Sequence, residues 1–354
     1  MGYIEPAQEI GKLMLKILKL VGLGIVALVA IFAGILALNY FNNGLKSKSG
    51  STVTLASAGE TISVLNWNIG YAGLGEESDF IMDGGENLLP PSVEVVEKNL
   101  TGIQNILSQN KSDFHLIQEA SEPDMLNLGI DVLGGVRETL PAYNWHFTYD
   151  FRSQFIPQSS AVKHGLASLT RIKTNPVELI RLPNEPTRLQ GIIQRQYHIQ
   201  AREFADENDN AWVVMNIHLS AFDEGGNIRV QQFEKLLEIA AKYYADGKHV
   251  VIGGDWNMQL TPTDFPNNTD MKQLFWLKKL PHAKLPANWQ LVFDQNVATV
   301  RTNYQPYIKG ENYTTIIDGF LVSPNVDVVD VKTIDTEFEY TDHQPVWAQF
   351  TSRP

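Results

Sequence analysis

The chain has 354 residues, 44% of them hydrophobic and 19% charged, a composition typical of a folded protein and not of a disordered one. It contains no cysteine, which excludes a disulfide scaffold, a cysteine nucleophile and a thiolate metal site, so any metal must be held by carboxylate, amide or imidazole groups, as suits hard ions such as Mg²⁺. The net charge of −12 disfavours a protein that wraps nucleic acid by general electrostatic attraction, although it does not exclude an enzyme that touches few phosphates.

The first predicted element is an apolar helix near the N-terminus. Residues 20–38 include no charged and no strongly polar side chain. At ~1.5 Å per residue this run spans about 29 Å, which matches the hydrocarbon core of a bilayer. A buried core helix would show a polar stripe, and a cleaved signal peptide has a shorter apolar region that ends in a small-residue cleavage site. We therefore predict a transmembrane helix over 20–38, preceded by a short cytoplasmic N-terminus over 1–19.

The lysines that flank this run indicate its orientation. The small excess before it favours a cytoplasmic N-terminus under the positive-inside rule, and hence a single-pass cell-membrane protein whose large C-terminal part is extracytoplasmic. Residues 39–60 are rich in Asn, Ser, Gly and Lys and predict a flexible linker, followed by one folded domain over 61–354. Three of these lysines precede the apolar run and two follow it: Lys12, Lys16, Lys19, Lys46 and Lys48.

The remaining chain shows short apolar runs bounded by turn residues, which predict strands. Helical periodicity predicts two long helices, over 93–109 and 228–244. Many strands with few helices favour stacked sheets flanked by helices, an α/β sandwich. The predicted strands are 61–69, 113–118, 145–149, 166–171, 192–201, 211–219, 249–253, 314–322 and 346–350.

Carboxylate, amide or imidazole side chains follow or close several of these strands. Chemistry is often placed at such positions, because the sheet fixes the backbone while the side chain reaches into a cleft. Glu119 closes an apolar strand, where an unpaired carboxylate is costly and where a metal ion or a basic partner would relieve that cost. Asp255 and Asn257 would face alike if the chain stayed extended after the two preceding glycines. Each motif taken alone is a weak signal: Asn68 alone is more typical of a turn, Glu119 of an exposed strand end and His218 of a structural histidine. The full set of candidates is Asn68, Glu119, His218, Asp255, Asn257, Asp318, Asp342 and His343.

In their order along the chain, these segments resemble the endonuclease/exonuclease/phosphatase superfamily. This deoxyribonuclease I-like group also includes sphingomyelinases, inositol polyphosphate 5-phosphatases, deadenylases and AP endonucleases. The resemblance extends to membrane-anchored bacterial members, and it implies a four-layer α/β sandwich and phosphoester hydrolysis that depends on a divalent metal, Mg²⁺ or alternatively Mn²⁺. The matching segments, from Leu65 to Pro345, are LNWNIG, LIQEA, NIHLSA, GGDWN, IIDGF and TDHQP.

The resemblance also implies a metal site. Glu119 matches the principal Mg²⁺ ligand of the superfamily, and Asn68 and Asp342 would complete the metal and phosphate site. One position departs from AP endonucleases, which have an acidic residue two positions after the Asn of the first motif, where this chain has Gly70. That departure, together with the histidine of the third motif, moves the prediction away from an AP endonuclease.

Catalytic roles carry over in the same way. Asp255 matches the residue that orients or deprotonates the attacking water, and Asn257 matches one that contacts a phosphoryl oxygen. His343 matches the second catalytic histidine, whose ring Asp318 would orient. His218 matches the histidine of the deoxyribonuclease and sphingomyelinase branches that helps to protonate the leaving group.

Several substrate classes remain open. The membrane tether, the acidic soluble part and aromatic loop residues favour a lipid head group or a small phosphoester, and no protein partner is indicated. A surface nuclease that cleaves DNA or RNA is the alternative, although no cluster of Lys and Arg supports it; a non-catalytic membrane-bound binding module is a further alternative. Asp79 and Asp83 could bind a second cation, shape the lip of the cleft or be ordinary surface acids. The aromatic residues that could enter a membrane interface are Tyr71, Phe80, Phe151, Phe155 and Tyr307.

Overall fold

The computed structural model describes residues 6–41, 45–51, 55–153, 157–185, 195–221, 223, 225 and 227–353. The chain divides into two compact units, one that holds the N-terminal helix and one that holds nearly all of the chain from Leu45 onward. Each unit is described by itself.

The N-terminal helix, α1, extends from Pro6 to Phe41 and contains the whole predicted span. Proline suits the first turn of a helix, because its missing N–H would have no partner there. Residues Gln8–Leu38 are long and apolar enough to cross a membrane, and none of the most apolar part is buried within the protein. The helix is therefore a candidate membrane span by length and composition.

Three further helices lie in the folded domain: α2 (Val93–Gln109), α3 (Val132–Thr139) and α4 (Asn227–Ala245). Helix α2 has the predicted bounds, and Ser92 caps it by accepting a hydrogen bond from the backbone N–H of Val95 at 3.4 Å. Helix α4 matches the second predicted helix to within one residue at each end. Helix α3 escaped prediction because it is short and contains two consecutive glycines.

Two mixed sheets form the centre of the domain. The larger has the strand order β1-β4-β5-β3-β2-β15-β14, and the smaller has the order β10-β13-β9-β8-β7-β6. A two-stranded ladder pairs β11 with β12. The strands are β1 (Ser47–Gly50), β2 (Thr61–Asn68), β3 (Phe114–Ser121), β4 (Asn144–Arg152), β5 (Lys163–Thr170), β6 (Glu178–Arg181), β7 (His198–Ala205), β8 (Ala211–His218), β9 (His249–Asp255), β10 (Gln290–Val292), β11 (Val300–Arg301), β12 (Thr314–Thr315), β13 (Asp318–Val322), β14 (Val326–Thr333) and β15 (Val346–Ser352).

The layers are helix, sheet, sheet and helix. Apolar side chains of the two sheets, among them Phe114 and Phe320, pack together in a shared core. Helices α2 and α3 cover the outer face of the larger sheet, where Ile103 packs in the same cluster as Trp67. Helix α4 covers the smaller sheet through a cluster that includes Phe233. The predicted four-layer α/β sandwich is confirmed.

The strands differ from the prediction, and four of them, β6, β10, β11 and β14, had no predicted counterpart. The run 314–322 divides into β12 and β13, and residues 192–194 of the run 192–201 lie outside the described residues. The expected linker over 39–60 contains strand β1, which pairs antiparallel with β4. The polar sequence SKSG gave no sign of a strand, because the backbone ladder with β4 and not side-chain burial holds it.

The parallel strand pairs define one end of the sandwich. Strands β2 and β3 are parallel, as are β8 and β9, so the carboxyl ends of all four meet at what we call the carboxyl end. Strand β4 points the same way, since it and β3 are both antiparallel to β5. Strand β1 is antiparallel to β4 and places Ser47 opposite Thr148. The chain thus enters the folded domain at the carboxyl end.

A buried amide cluster joins the two sheets just behind this end. Nε2 of Gln118 donates to Oδ1 of Asn66 at 2.8 Å and to Oδ1 of Asn216 at 2.7 Å. Nδ2 of Asn66 donates to the carbonyl of Gly254 at 3.1 Å. Glycine is required there, because a Cβ at Gly254 would lie 2.2 Å from the carbonyl oxygen of Ile217. The cluster fixes the register of the sheets where the site side chains begin.

Candidate active site

A cavity of about 70 Å³ lies at the carboxyl end, between loops that follow strands of both sheets. A volume of that size has room for several water molecules or a hydrated ion. Asp318 does not line it and lies fully buried behind His343. The other seven predicted site residues all line the cavity: Asn68, Glu119, His218, Asp255, Asn257, Asp342 and His343.

His343 lies between two carboxylates. Its Nδ1 is 2.9 Å from Oδ2 of Asp318, and its Nε2 is 3.7 Å from Oδ2 of Asp255. Burial lowers the pKa of the imidazole, but Asp318 and Asp255 more than offset this and raise the pKa well above its ordinary value. Both carboxylates favour a protonated ring, whose Nδ1–H donates to Asp318.

The ligand atoms of Asp255, Asp318 and His343 all lie within 4.8 Å of one another, a spacing that could hold a metal ion. A histidine ligand must be neutral, however, and metal binding has to displace its proton. The hydrogen bond to Asp318 and the raised pKa of His343 favour a protonated ring. We therefore interpret this cluster as an acid–base unit and not as the metal site.

Asp255 is the centre of the polar contacts in the cavity. Its Oδ2 accepts from Nδ2 of Asn68 at 3.0 Å and lies 3.5 Å from Nε2 of His218. Burial raises the pKa of Asp255, and the neighbouring His343 offsets this only in part. The carboxylate is thus a stronger base than an exposed aspartate.

The chain does not stay extended as far as Asn257, so the condition under which Asp255 and Asn257 would face alike is not met. Strand β9 ends at Asp255, and Asn257 adopts a left-handed φ of 50°. Its backbone N–H donates to Oδ1 of Asp255 at 2.8 Å, and its Nδ2 donates to the carbonyl of Leu219 at 2.9 Å. The turn, and not strand alternation, brings Asn257 to the cavity.

Arg195, which sequence reasoning missed, brings a guanidinium charge to the cavity. Its Nη2 donates to Oε1 of Glu119 at 3.1 Å, and its Nε donates to Oδ2 of Asp150 at 3.1 Å. Burial opposes the charge, but Asp150 and other neighbours raise the pKa of Arg195 well above its ordinary value. The only sequence signal was a single cation in the apolar stretch before β7. The carboxylates that it pairs with are distant in the chain and are close to it only in space.

His218 differs from His343 in charge. Nη2 of Arg195 lies 3.2 Å from its Nδ1, and a guanidinium can only donate, so Nδ1 accepts and the ring proton is on Nε2. Burial and Arg195 lower the pKa of His218 well below its ordinary value. The ring is therefore neutral, with its Nε2–H directed toward Asp255.

Oxygen donors for a hard cation line the same cavity. Glu119 has a φ of 55°, and the β3–β5 ladder is irregular between Ile117 and Ala120, so a kink in β3 turns this side chain inward. Burial raises the pKa of Glu119 despite the attraction of Arg195. Asp342 accepts at Oδ1 from the hydroxyl of Thr341 at 3.1 Å.

The sequence left the roles of Asp79 and Asp83 open. Asp83 belongs to the oxygen donors that line the cavity, whereas Asp79 does not. Nδ2 of Asn303 donates both to Oδ2 of Asp342 at 2.6 Å and to Oδ2 of Asp83 at 3.2 Å. Burial and Asp342 raise the pKa of Asp83 to about 7. Asp79 instead accepts hydrogen bonds from Asn87 and holds its own loop.

The donor set fits a divalent metal of the kind the fold implies. Glu119, Asp342 and Asp83 bring three carboxyl groups to one small cavity, and Arg195 pairs with only the first of them. Oδ1 of Asn303 is buried without a hydrogen-bond partner at the same wall. A cation bound by carboxylate and amide oxygens would relieve this unbalanced charge.

Gly70 explains why an acidic residue is absent after the first motif. Its φ is 47°, and a Cβ there would lie 3.0 Å from both Oδ1 of Asp342 and Oγ1 of Thr341. Any side chain at this position would have to push against a predicted metal ligand.

The loop aromatics do not form the exposed set that the sequence suggested. Tyr71 is only 4% exposed and packs against Phe80 with a centroid distance of 6.5 Å. Tyr307 packs edge-on against Phe338, and Phe155 lies outside the described residues. Arg301, one of the basic loop residues, is buried and donates to the backbone carbonyls of Leu74, Gly75 and Ser78.

Comparison with known proteins gives structural relatives and no sequence relatives. No family model and no curated protein matches the chain. An endonuclease/exonuclease/phosphatase from Beutenbergia cavernae DSM 12333 aligns with a TM-score of 0.57 and 16% identity over 83% of this chain and 72% of that chain. ANGEL2, described as a 2′,3′-cyclic phosphatase, aligns with a TM-score of 0.53 and 13% identity over 88% of this chain and 99% of that chain.

A humanized TDP2 from D. rerio aligns with a TM-score of 0.52 and 14% identity over 83% of this chain and 100% of that chain. At these identities the likeness shows the fold alone. The chain has the endonuclease/exonuclease/phosphatase fold that its motifs implied.

Proposed function

We propose that this chain, with its endonuclease/exonuclease/phosphatase fold, is a membrane-anchored phosphoesterase that uses a divalent metal to hydrolyse a phosphodiester. One observation carries the proposal. Asp255 lies between a cationic His343 and a neutral His218, at 3.7 and 3.5 Å, on the wall of a cavity that Glu119 and Asp342 also line. A base, two differently charged imidazoles and hard oxygen donors are the groups that phosphodiester hydrolysis needs.

Glu119, Asn68 and Asp342 would hold the metal, Mg²⁺ by ligand type with Mn²⁺ as the alternative. When bound, the ion would neutralise the charge that develops on the phosphoryl oxygens. Arg195 adds a fixed positive charge at the same wall, and its hydrogen bond holds Glu119 in place.

The chain's own residues supply the acid–base chemistry. Asp255, with its raised pKa, would orient the attacking water and take its proton. His343, held by Asp318 and positively charged, would donate to a phosphoryl oxygen, and Asn257 would donate to another. His218 carries its proton on Nε2, and this neutral ring, held by Arg195, would stabilise the leaving oxygen by donating a hydrogen bond to it. Solvent water would supply the proton that the leaving oxygen takes up.

A lipid head group or other small phosphoester is the substrate class that the rest of the chain favours. Helix α1 is a candidate membrane span, and the chain enters the domain at the end where the cavity lies. The net charge of −12 opposes the binding of a polyanion. We extend the proposal to a catalytic domain over 61–354 on the extracytoplasmic side, as the flanking lysines indicate.

The substrate class can be tested with the full chain in phosphatidylcholine vesicles. With Mg²⁺ present, we expect hydrolysis of sphingomyelin or phosphoinositide in the same bilayer to exceed cleavage of plasmid DNA and of RNA. Preferred cleavage of nucleic acid, with activity that falls as salt rises, would establish the nuclease alternative instead.

The pairing of Asp318 with His343 predicts a shifted pH profile. Burial lowers the pKa of His343 and Asp318 is the largest contributor that raises it, so Asp318→Asn should lower that pKa. The cationic ring would then lose its proton at a lower pH, and the basic limb of kcat/KM against pH should move to lower pH. Asp113→Asn, at a carboxylate outside the cavity, should leave the limb in place, and an unmoved limb in Asp318→Asn would refute the pairing.

Arg195 is predicted to position His218 and Glu119. Arg195→Gln should lower kcat/KM by about 10²-fold or more. Arg195→Lys should retain only part of the wild-type kcat/KM, since an ammonium cannot reproduce the guanidinium fork. Because Arg195 also lowers the pKa of His218, that pKa should rise in Arg195→Gln. Ring NMR of His218 measures this, and a loss of activity without a change in its pKa would leave Arg195 a purely structural residue.

A further inference from the structure

Exposed apolar side chains gather at the carboxyl end of the folded domain. Within the part of this domain that the structure describes, ten large hydrophobic side chains are exposed. Tyr244, near the end of α4, and Val329, on strand β14, lie elsewhere. The other eight lie in the β2–α2, β9–β10 and β11–β12 connections or at the first residue of α2. They are Ile81, Met82, Leu88, Leu89, Val93, Met271, Phe275 and Ile308.

Four of them lie in two segments that also contribute residues to the lining of the cavity, and we call them the apolar rim: Ile81, Met82, Met271 and Phe275. Their exposed fractions are 49%, 47%, 78% and 52%. The first two stand in the chain between Phe80 and Asp83, which both line the cavity, and Phe275 precedes Trp276, which also lines it.

The two rim segments touch each other. A Cβ built on Gly84 would lie 2.6 Å from Oε1 of Gln273. Tyr304, in the connection between β11 and β12, bridges the same two segments: its Cβ would lie 3.7 Å from that Cβ, and its hydroxyl lies 3.5 Å from that of Thr269. The two rim segments thus adjoin each other and are not unrelated loop tips. Contiguous exposed apolar residues on a soluble domain mark an interaction surface.

The covalent path to the membrane helix indicates what covers this surface. Helix α1 ends at Phe41 and strand β1 begins at Ser47, at the carboxyl end. Six residue steps reach at most about 22 Å, whatever conformation the linking residues adopt. The end of the domain that carries the rim is therefore the end tied to the candidate membrane span.

We propose that the apolar rim inserts into the interfacial layer of the bilayer that holds α1 and so places the cavity over lipid head groups. This inference rests on the lipid substrate of the proposed function and names the surface that serves it. The attraction is hydrophobic, because a chain with a net charge of −12 gains nothing from anionic lipids. The residues that enter the interface are mainly aliphatic and methionine side chains, and not the loop aromatics that the sequence suggested.

The absence of cysteine allows a direct test in the full chain. Met82→Cys and Phe275→Cys each provide a unique site for a nitroxide spin label, and Tyr244→Cys and Val329→Cys are matched exposed controls away from the rim. The labelled proteins are reconstituted in phosphatidylcholine vesicles. Collision with oxygen, which concentrates in lipid, is compared with collision with a water-soluble nickel chelate.

We expect the labels at 82 and 275 to collide more with oxygen than with the chelate, and the two controls to show the reverse. Four labels with the same water-exposed values would overturn the inference. Labels at 82 and 275 shielded from both reagents would also overturn it, because a protein partner or a second copy would then cover the rim.

Activity separates this inference from the catalytic proposal. The double variant Met82→Ser/Phe275→Ser should lower turnover of bilayer lipid about tenfold and leave bis(p-nitrophenyl) phosphate turnover unchanged. Equal turnover of bilayer lipid in this variant and the wild type would count against rim insertion. The spin-label measurement needs no catalysis, so rim insertion can be established even if no hydrolysis is found, and hydrolysis can be found without it.

Discussion

Asp255→Asn is expected to lower kcat for a phosphodiester by about 10³-fold, within the range that a positioned acid–base group contributes. The substitution keeps the shape of the side chain and an oxygen that can still accept from Asn68. It removes the base, and it also removes a carboxylate that raises the pKa of His343. Two groups of the proposed mechanism are therefore weakened by a change of one atom.

The measurement is steady-state turnover of bis(p-nitrophenyl) phosphate by the full chain at saturating Mg²⁺. Asp113→Asn serves as the control, because Asp113 pairs with Arg171 and Ser63 away from the cavity. Near-normal kcat in Asp255→Asn, with the protein folded, would remove Asp255 from the mechanism.

Glu119→Gln is expected to raise the Mg²⁺ concentration for half-maximal activity by at least about 10²-fold, since even a residue that only supports a metal ligand commonly costs 10- to 100-fold. The neutral amide lacks the charge that holds a hard cation. The fold should persist, because Asp150 still pairs with Arg195 when Glu119 is gone. Excess metal should recover part of the activity.

Glu122→Gln is the matched control for this variant. Glu122 follows the same strand but hydrogen-bonds to Tyr149 and does not line the cavity. Metal titrations of the two variants should therefore diverge. A Glu119→Gln protein with an unchanged Mg²⁺ requirement would show that the metal, if one is used, binds elsewhere.

Local sequence patterns predicted helices α1, α2 and α4 and most strands, because the apolar pattern of neighbouring residues indicates each of these elements. Helix α2 shows a 3.6-residue period and a serine cap, and its bounds were predictable to the residue. Strand β1 shows nothing of the kind, since its four residues carry no apolar period and are held by the ladder with β4 and by the ion pair of Lys48 with Glu122. Pairing between distant segments is not encoded at the residues that pair.

The residues of the candidate site also divide into those that local sequence patterns indicated and those that they did not. Residues at strand ends, such as Glu119 and His218, were visible because an apolar run ends in a polar side chain. Arg195 and Asn303 were not, because their partners lie 76 and 39 residues away in the chain. The bend that carries Asn257 to the cavity also lay beyond a strand-alternation argument, since its φ is positive.

The most direct test compares the full chain with His343→Ala in hydrolysis of bis(p-nitrophenyl) phosphate, with Mg²⁺ and with a chelator. We expect turnover that needs the metal and falls by at least about 10²-fold in His343→Ala. His198→Ala, which removes a buried histidine outside the cavity, should retain activity. Equal turnover by the wild type and His343→Ala, or no turnover by the folded wild type with Mg²⁺ or Mn²⁺, would contradict a phosphodiesterase built on this cavity.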